Sequence, residues 1–193
     1  MRKITTKTIA LFAGIITLSS VTFISAKPVN AALLSVNNEA AVSYYYALPA
    51  TVRGKLESRG VNFEVNDNKV YYQTGDSRAV GVTHTNAYSR SGKIASQEIF
   101  VKNGYEDAIL HEAGHCMASY NDIFEYWTNC IGWQTIYNEE VCNAVNAGMD
   151  SSNLYNRDEF FAECFQLYIT NPQSLQANCP QAFNYIQAVI MAP

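Results

Sequence analysis

The sequence predicts an α+β domain that is mainly helical and carries a small sheet in its N-terminal part. Segments with strand character lie before residue 103 and helical segments follow it, which is the order typical of α+β domains. The 193 residues suit one domain, and 48% hydrophobic against 16% charged residues favours a packed core over disorder.

The N-terminal segment has the features of a cleaved export signal. Three basic residues open the chain, an apolar run covers residues 9–24, and the small-residue triplet 29–31 offers a cleavage site. The alternative is a membrane anchor, but the run is shorter than the ~20 apolar residues that a spanning helix needs. We therefore expect residues 1–31 to be a signal peptide and residues 32–193 to form one secreted domain.

The charge of the chain argues against two classes of partner. The net charge is −4, and loss of residues 1–31, which contain four basic residues and no acidic one, changes it to −8. An acidic surface repels phosphate backbones and anionic lipids. We therefore expect neither nucleic acid nor a membrane as a partner of the mature chain, and we expect a monomer.

Strand signals are confined to the region before residue 103. Residues 38–46 are compatible with a helix, and Pro49 and Gly60 bracket a second one, since proline favours helix starts and glycine follows helix ends. Alternating or consecutive apolar residues then predict strands. The predicted strands cover residues 61–65, 70–72, 79–83 and 94–101, with turns or loops at 66–68 and 86–92.

Helical segments fill the second half of the chain. A loop rich in Gly, Ser, Asn and Asp covers residues 146–156, and Asn171-Pro172 stops the helix that follows this loop. The predicted helices cover residues 105–120, 123–145 (as one helix or two), 157–169 and 180–190.

The strongest chemical signal is the run His111-Glu112-Ala113-Gly114-His115, which holds two of the three histidines and directly follows a predicted strand. Residues four apart share one face of a helix, so both imidazoles can reach one metal ion. A catalytic zinc site takes three protein ligands and keeps one position open. Glu112 would then be the general base that takes a proton from water and delivers it to the leaving amine. The alternative is a polar helix face with two hydrogen-bonded histidines.

The third ligand must come from elsewhere in the chain. The residues after His115 lack the glycine and third histidine of the metzincin pattern, and we interpret His84 as an ordinary surface or cleft-edge residue. Glu159 and Glu163 share one face of a predicted helix, so the first can bind zinc and the second can accept the free ring N–H of a ligating histidine. The alternative is that Glu159 caps its own helix, because Asn156-x-x-Glu159 resembles a capping box.

Three motifs together resemble one known family. HEAGH at 111–115, EFFAE at 159–163 and CPQAFNYI at 179–186 resemble the catalytic domain of anthrax lethal factor and its relatives, which include small secreted Pro-Pro endopeptidases. The resemblance covers roughly residues 47–190, nearly all of the mature chain.

This resemblance implies a largely helical zincin domain with a small sheet and one zinc ion. Glu112 matches the catalytic glutamate, and Glu163 matches the glutamate behind the ligands. The residues that match the zinc ligands are His111, His115 and Glu159. The family usually has a tyrosine seven residues before the ligand glutamate, where its hydroxyl helps to stabilise the oxyanion, but this chain has Ser152 there. Tyr155 is the candidate to replace it as a catalytic residue, with an ordinary loop tyrosine as the alternative.

The expected function is therefore that of a secreted zinc-dependent endopeptidase acting on a protein or peptide substrate. Cleavage near proline is implied by the resemblance alone. The predicted strand 94–101 would be the sheet edge to which an extended substrate adds. The alternative function is a secreted, non-catalytic binding module of a toxin, although such modules characteristically lose the HExxH motif.

Five cysteines, an odd number, leave at least one thiol without a partner in the chain. Export permits disulfides. Cys116 directly follows His115 and Cys164 directly follows Glu163, so we consider a bridge between these two cysteines that would join the two ligand helices. The alternative is that the cysteines are reduced and buried.

Overall fold

The helices and strands are seen in a computed structural model, which describes residues 38–88, 91–120 and 123–191. The predicted signal peptide therefore lies outside the described residues. The described part is mainly helical and has one small three-stranded sheet in its N-terminal half, which confirms the predicted α+β class. Within the same ranges, none of the helices has both the length and the apolar character required to cross a bilayer.

Two short helices precede the sheet, as predicted. α1 (Glu39–Ala47) begins after Asn38, whose side chain accepts hydrogen bonds from two backbone N–H groups of the first turn. α2 (Ala50–Ser58) begins directly after Pro49. Their inward faces add four side chains to the core: Ala41, Tyr45, Val52 and Leu56.

The sheet has the strand order β1-β3-β2. β1 (Asn62–Val65) runs parallel to β3 (Ile94–Val101), and β2 (Gly81–Ala87) runs antiparallel to it. β3 is thus the central strand, but β1 pairs only with its residues 98–101. The prediction that strand 94–101 is the edge for a substrate is therefore wrong for residues 98–101, which pair on both sides, whereas residues 94–97 pair only with β2 among the described strands.

The predicted strand at residues 70–72 is also wrong, since these residues lie within α3 (Asp67–Thr74). The side chain of Asn66 accepts a hydrogen bond from Lys69 N at 3.0 Å and so caps the helix. Gly75 ends it in the left-handed region with φ 70°. The tyrosines at 71 and 72 look strand-like in sequence, but the cap on one side and the glycine on the other select a helix.

Six helices form the rest of the described chain. The predicted stop at Asn171-Pro172 is correct, but the same residues begin a helix that we did not predict, because proline is also well suited to a first helical turn. The helices are α4 (Ala108–Met117), α5 (Ile131–Glu140), α6 (Ala144–Ala147), α7 (Arg157–Thr170), α8 (Pro172–Asn178) and α9 (Pro180–Tyr185), with a π turn at Ile186–Ile190.

A buried carboxylate joins α5 to α9. Glu140 is only 4% exposed, and its two oxygens accept hydrogen bonds of 2.9 Å from the backbone N–H groups of Gln181 and Ala182. These N–H groups belong to the first turn of α9, which has no partner for them within the helix. The carboxylate therefore caps α9 from a neighbouring helix and fixes its start.

α4 lies at the centre of the domain. All ten of its residues are buried, and it packs against β2 and β3 on one side and α7 on the other. A Cβ atom placed on Gly114 would lie 2.8 Å from the Cα of Ala162, so the two helices touch backbone to backbone there. The indole of Trp133 packs on Phe160 and donates a hydrogen bond of 2.9 Å to the carbonyl of Arg157, which holds α7 against α5.

The proposed bridge between Cys116 and Cys164 is wrong, since the structure holds all five cysteines as free thiols. Each of the two residues lies two positions after a residue of the α4–α7 contact, which is about 200° around its helix. The titratable neighbours of Cys116 are accordingly Arg59 and Glu112, whereas the first neighbour of Cys164 is Cys179.

We predict that Gly114→Ala lowers the free energy of unfolding by about 1–3 kcal/mol, because the added methyl group meets backbone rather than a side chain that can move. Gly54→Ala, inside α2 with no atom within 4 Å of the added methyl, is the matched control and should raise stability by about 0.5–1 kcal/mol. Urea unfolding of both variants measures the difference. Equal effects of the two substitutions would contradict the close α4–α7 contact.

Candidate metal and catalytic site

The HExxH run forms the middle of α4, as the spacing predicts. His111 and Glu112 are completely buried and His115 is 6% exposed. Burial of three such polar groups on one helix costs free energy unless they are paired or bind a ligand. The groups that contact these three side chains therefore indicate which chemistry the site can support.

The structure brings three predicted residues together at one point. The Nε2 atoms of His111 and His115 lie 3.1 Å apart. Glu159 Oε2 lies 3.1 Å from Nε2 of His111 and 3.6 Å from Nε2 of His115. These are the only three side chains among the described residues that form a group able to hold a metal ion.

The cap of α7 explains why Glu159 is available to the histidines. The side chain of Asn156 accepts hydrogen bonds from the backbone N–H groups of Asp158 at 2.8 Å and Glu159 at 2.9 Å. The Glu159 carboxylate faces the imidazoles of α4 instead of completing the capping box. The alternative that Glu159 caps its own helix is thus wrong, because the side chain of Asn156 makes the cap and the Glu159 carboxylate belongs to the cluster.

Glu163 lies behind His111, one turn further along α7. Its Oε1 is 3.2 Å from His111 Nδ1 and accepts a hydrogen bond of 2.7 Å from Asn153 Nδ2. A carboxylate on the far nitrogen favours the tautomer in which Nε2 carries the lone pair that a metal ion requires. Asn153, 3% exposed, holds this carboxylate in place, and sequence reasoning missed it because only its position in a polar loop could have indicated it.

The protonation of the cluster reflects the same contacts. Burial disfavours the charged form of His111, but the carboxylates of Glu159 and Glu163 outweigh it and raise its pKa to about 10. Burial alone would raise the pKa of Glu159, whereas the two histidines lower it far below its usual range. Without a metal ion, the cluster is therefore held together by ion pairs and depends on protonated imidazole.

The donor set fits zinc. Four ligands at about 2.0–2.1 Å in tetrahedral geometry are separated by about 3.3 Å from one another, and the three donor atoms here are 3.1–3.6 Å apart. Two imidazole nitrogens that face each other cannot both be protonated without repulsion, whereas a cation between them satisfies both. His111, His115 and Glu159 would hold the ion and leave the fourth position for water or substrate.

The carboxylate of Glu112 lies against β2. Its Oε2 accepts a hydrogen bond of 2.7 Å from the hydroxyl of Thr83, and its Oε1 is buried without a hydrogen-bond partner. Burial raises the pKa of Glu112, and the neighbouring histidines oppose that shift. A raised pKa suits a group that must accept a proton and then release it.

Tyr155 and Ser152 lie in the segment that leads into α7. Tyr155 is 40% exposed and lines a cavity of ≈ 380 Å³ together with Tyr137 and Asp158. Burial and the charge of Glu159 raise the pKa of Tyr155 well above its usual value, so its hydroxyl stays protonated. Ser152 lies in a single 3-10 turn (Ser151–Asn153), whose backbone is capped by the side chain of Asp150.

His84 does not join the cluster, but it is buried, and the prediction of a surface or cleft-edge position is therefore wrong. It is 3% exposed on β2, and its Nδ1 lies 3.1 Å from Gln73 Oε1 on α3. Burial lowers its pKa, so this imidazole is held neutral. The strand places the side chain on the sheet face opposite to that of Thr83, because adjacent residues alternate.

Glu125 is a residue near the cluster that the sequence did not indicate. Its backbone has φ 52°, a left-handed conformation that is unusual for glutamate. Burial and the nearby Asp158 raise its pKa to about 7, while His115 and Arg157 oppose the shift. Residues in such strained conformations are concentrated at functional sites.

Comparison with known proteins agrees with the family resemblance. The chain matches the family described as "Anthrax toxin lethal factor, N- and C-terminal domain" over residues 50–189, well over half of its length. The chain belongs to this family. A search of curated proteins found no match. The lethal-factor family includes domains from both ends of the toxin, so membership by itself does not assign a peptidase activity.

Without a bound metal ion, this member of the lethal-factor family should lose stability as the pH rises above neutrality. The folded pKa of His111 is about 10, above its ordinary value of 6.5, so its contribution is complete below pH 6.5 and is lost as the pH rises to about 10. Urea unfolding with a chelator, from pH 6.5 to 10, measures this loss. Glu159→Gln should flatten the profile, whereas Glu139→Gln, an exposed control on α5, should not. A profile unchanged by Glu159→Gln would contradict the ion pair.

Proposed function

We propose that this chain is a zinc-dependent endopeptidase. The proposal rests on three side-chain atoms of the type that bind metal ions, which lie 3.1–3.6 Å apart. Beside them is a buried glutamate, one of whose oxygens has no hydrogen-bond partner. Structural zinc sites use four protein ligands, whereas three are typical of catalytic sites. Together with the HExxH spacing, this composition favours hydrolysis over a purely structural role.

Each residue of the cluster has a separate role in the proposed reaction. His111, His115 and Glu159 would hold the ion, with Glu163 orienting the first imidazole. When bound, zinc supplies Lewis-acid chemistry: it lowers the pKa of water toward ~7 and polarises the scissile carbonyl. Glu112 accepts the proton of the attacking water at a carboxylate oxygen and delivers it to the leaving amine.

We propose that the substrate is a peptide in extended form that lies along β2. Among the described strands, β2 pairs only with β3, so one of its edges is not used within the sheet. β2 also packs directly against α4, which carries Glu112. A peptide added to this edge would pass beside the candidate ligands, and its main chain would provide most of the affinity.

The finer assignment goes further than membership of the family. We propose that the chain is the peptidase type of lethal-factor domain and resembles the small secreted Pro-Pro endopeptidases. The intact HEAGH and EFFAE motifs support the first point, and the predicted signal peptide at residues 1–31 supports secretion. N-terminal sequencing of the exported protein tests the signal, since it should begin after residue 31.

We predict that the mature protein cleaves members of a peptide library, that a chelator abolishes cleavage, and that zinc restores it. Glu112→Gln should lower turnover by at least ~10³-fold and keep one zinc ion per chain, because it removes the base and no ligand. His111→Ala should lose the zinc ion, whereas His84→Gln, which changes the third histidine, should retain it.

Zinc content by atomic emission and cleavage by mass spectrometry are the measurements. A wild-type protein that binds zinc but cleaves no peptide would favour the non-catalytic binding module instead. A protein that binds no zinc would overturn the proposal. The positions of the cleaved bonds would show whether proline is part of the specificity.

We predict that Tyr155→Phe lowers turnover by ~10²-fold with zinc content unchanged, because the loss of one oxyanion donor typically costs 10²–10³-fold. Tyr72→Phe, an 84% exposed tyrosine on α3, is the control and should have no effect. Equal rates for wild type and Tyr155→Phe would remove this hydroxyl from the mechanism.

A further inference from the structure

Two residues of β2 contact the carboxylate of Glu112. Residues 81 and 83 are two apart on the strand and therefore share one sheet face, which here packs against α4. Thr83 is 1% exposed and donates its hydroxyl hydrogen to Glu112. Gly81 is also buried, and a Cβ atom placed on it would lie 2.7 Å from Glu112 Oε1.

We propose that Thr83 and Gly81 are positioning residues that fix the catalytic carboxylate of Glu112 in its working orientation. This inference rests on the proposed function. It assigns a role to β2 beyond that of a sheet edge: the strand that would align the substrate also holds the base. The two residues act differently, one through a hydrogen bond and the other through the absence of a side chain.

The hydrogen bond of Thr83 distinguishes the two oxygens of the carboxylate. The hydroxyl has one hydrogen and two acceptors on Glu112, the Oε2 atom at 2.7 Å and the backbone carbonyl at 3.0 Å, so the carboxylate oxygen is the nearer. The other oxygen, Oε1, has no partner. The contact therefore anchors one oxygen and leaves the other to accept a proton, without the free rotation of an unanchored carboxylate.

Gly81 provides the space in which the second oxygen lies. The added Cβ would also lie 3.0 Å from Cγ and 3.2 Å from Cδ of Glu112, so these atoms and Oε1 occupy the volume that a side chain at 81 would need. The backbone of Gly81 does not have the left-handed φ that strains other residues. The backbone therefore allows alanine at position 81. The effect of Gly81→Ala then depends only on the loss of the space that the Glu112 side chain occupies.

Turnover of three threonine variants tests the hydrogen bond. Thr83→Val should lower kcat by at least ~10-fold, a part of the ~10²–10⁴-fold that general base catalysis supplies, with KM and zinc content nearly unchanged. Thr83→Ser should recover most of the rate because it restores the hydroxyl. Thr85→Val is the matched control, since Thr85 is equally buried on the same face of β2 but accepts from Gln97. Equal kcat for Thr83→Val and wild type would overturn the role of Thr83.

Gly81→Ala tests whether Glu112 requires the space that the absence of a side chain at position 81 provides. The methyl group should push the carboxylate from its place and lower kcat by ~10-fold or more, again with one zinc ion per chain. In Gly81→Ala combined with Glu112→Gln, the alanine should have no further effect on the residual rate. A rate unchanged by Gly81→Ala alone would overturn the role of this glycine.

A double-mutant cycle in urea unfolding tests the contact without any activity. If Thr83 and Glu112 are coupled in the metal-free protein, Thr83→Val and Glu112→Met, which has no side-chain oxygen to accept the hydrogen bond, should shift the unfolding midpoint non-additively. Thr85→Val with Glu112→Met should be additive. Additive shifts for the first pair would overturn the contact, whatever the reaction is. An inactive wild type with a coupled first pair would overturn the proposed function and leave the contact supported.

Discussion

The backbone contact between α4 and α7 at Gly114 determines the geometry of the whole candidate site. A side chain at this position would separate the helices, since even one Cβ atom would lie 2.8 Å from the Cα of Ala162. His111 and His115 flank Gly114 on one helix, while Glu159 and Glu163 flank Ala162 on the other. The close approach therefore places two imidazoles and two carboxylates on facing turns, and small changes in helix separation would change every distance between the imidazoles of α4 and the carboxylates of α7.

The cost of this arrangement is the burial of several ionisable groups, and the chain reduces it through pairing. Each candidate ligand contacts another charged or polar group, and Asn153 holds the carboxylate that lies behind His111. In the metal-free protein, these pairs require a protonated imidazole. A cation in the same place would replace the proton and remove the repulsion between the rings. An ion bound at this place would therefore also change the stability of the fold.

The sheet contributes more than a scaffold for the helices. β3 lies between β1 and β2 and fixes the position of β2, whose inward face contacts α4. Thr83 and Gly81 on that face shape the surroundings of Glu112. β2 thereby contacts Glu112, the candidate general base, through a hydrogen bond, and its second edge, which pairs with no other described strand, is the one proposed for the substrate. A change in the position of β2 would therefore affect both Glu112 and the edge proposed for the substrate.

Helices and strands were predicted correctly where the capping residues and the periodicity of apolar residues indicate the same secondary structure. The predictions failed where these two signals indicate different structures. The HExxH helix and the helix of Glu159 were predicted because their spacing is decided within a few residues. The segment at residues 70–72 was misassigned because strand-like tyrosines outweighed the cap at Asn66 and the glycine at 75. The helix at 172–178 was missed because proline was interpreted only as a stop.

The sequence by itself determined which chemical groups the chain can offer: two histidines and a glutamate on one helix, and a pair of glutamates four residues apart on another. Only the tertiary structure decided that Glu159 faces the histidines, that β2 is an outer strand of the described sheet and packs on α4, and that Thr83 and Asn153 support the carboxylates. The physical reason is that helix spacing is fixed by the local hydrogen-bond repeat. Strand order and helix separation, by contrast, depend on contacts between residues that are distant in the chain.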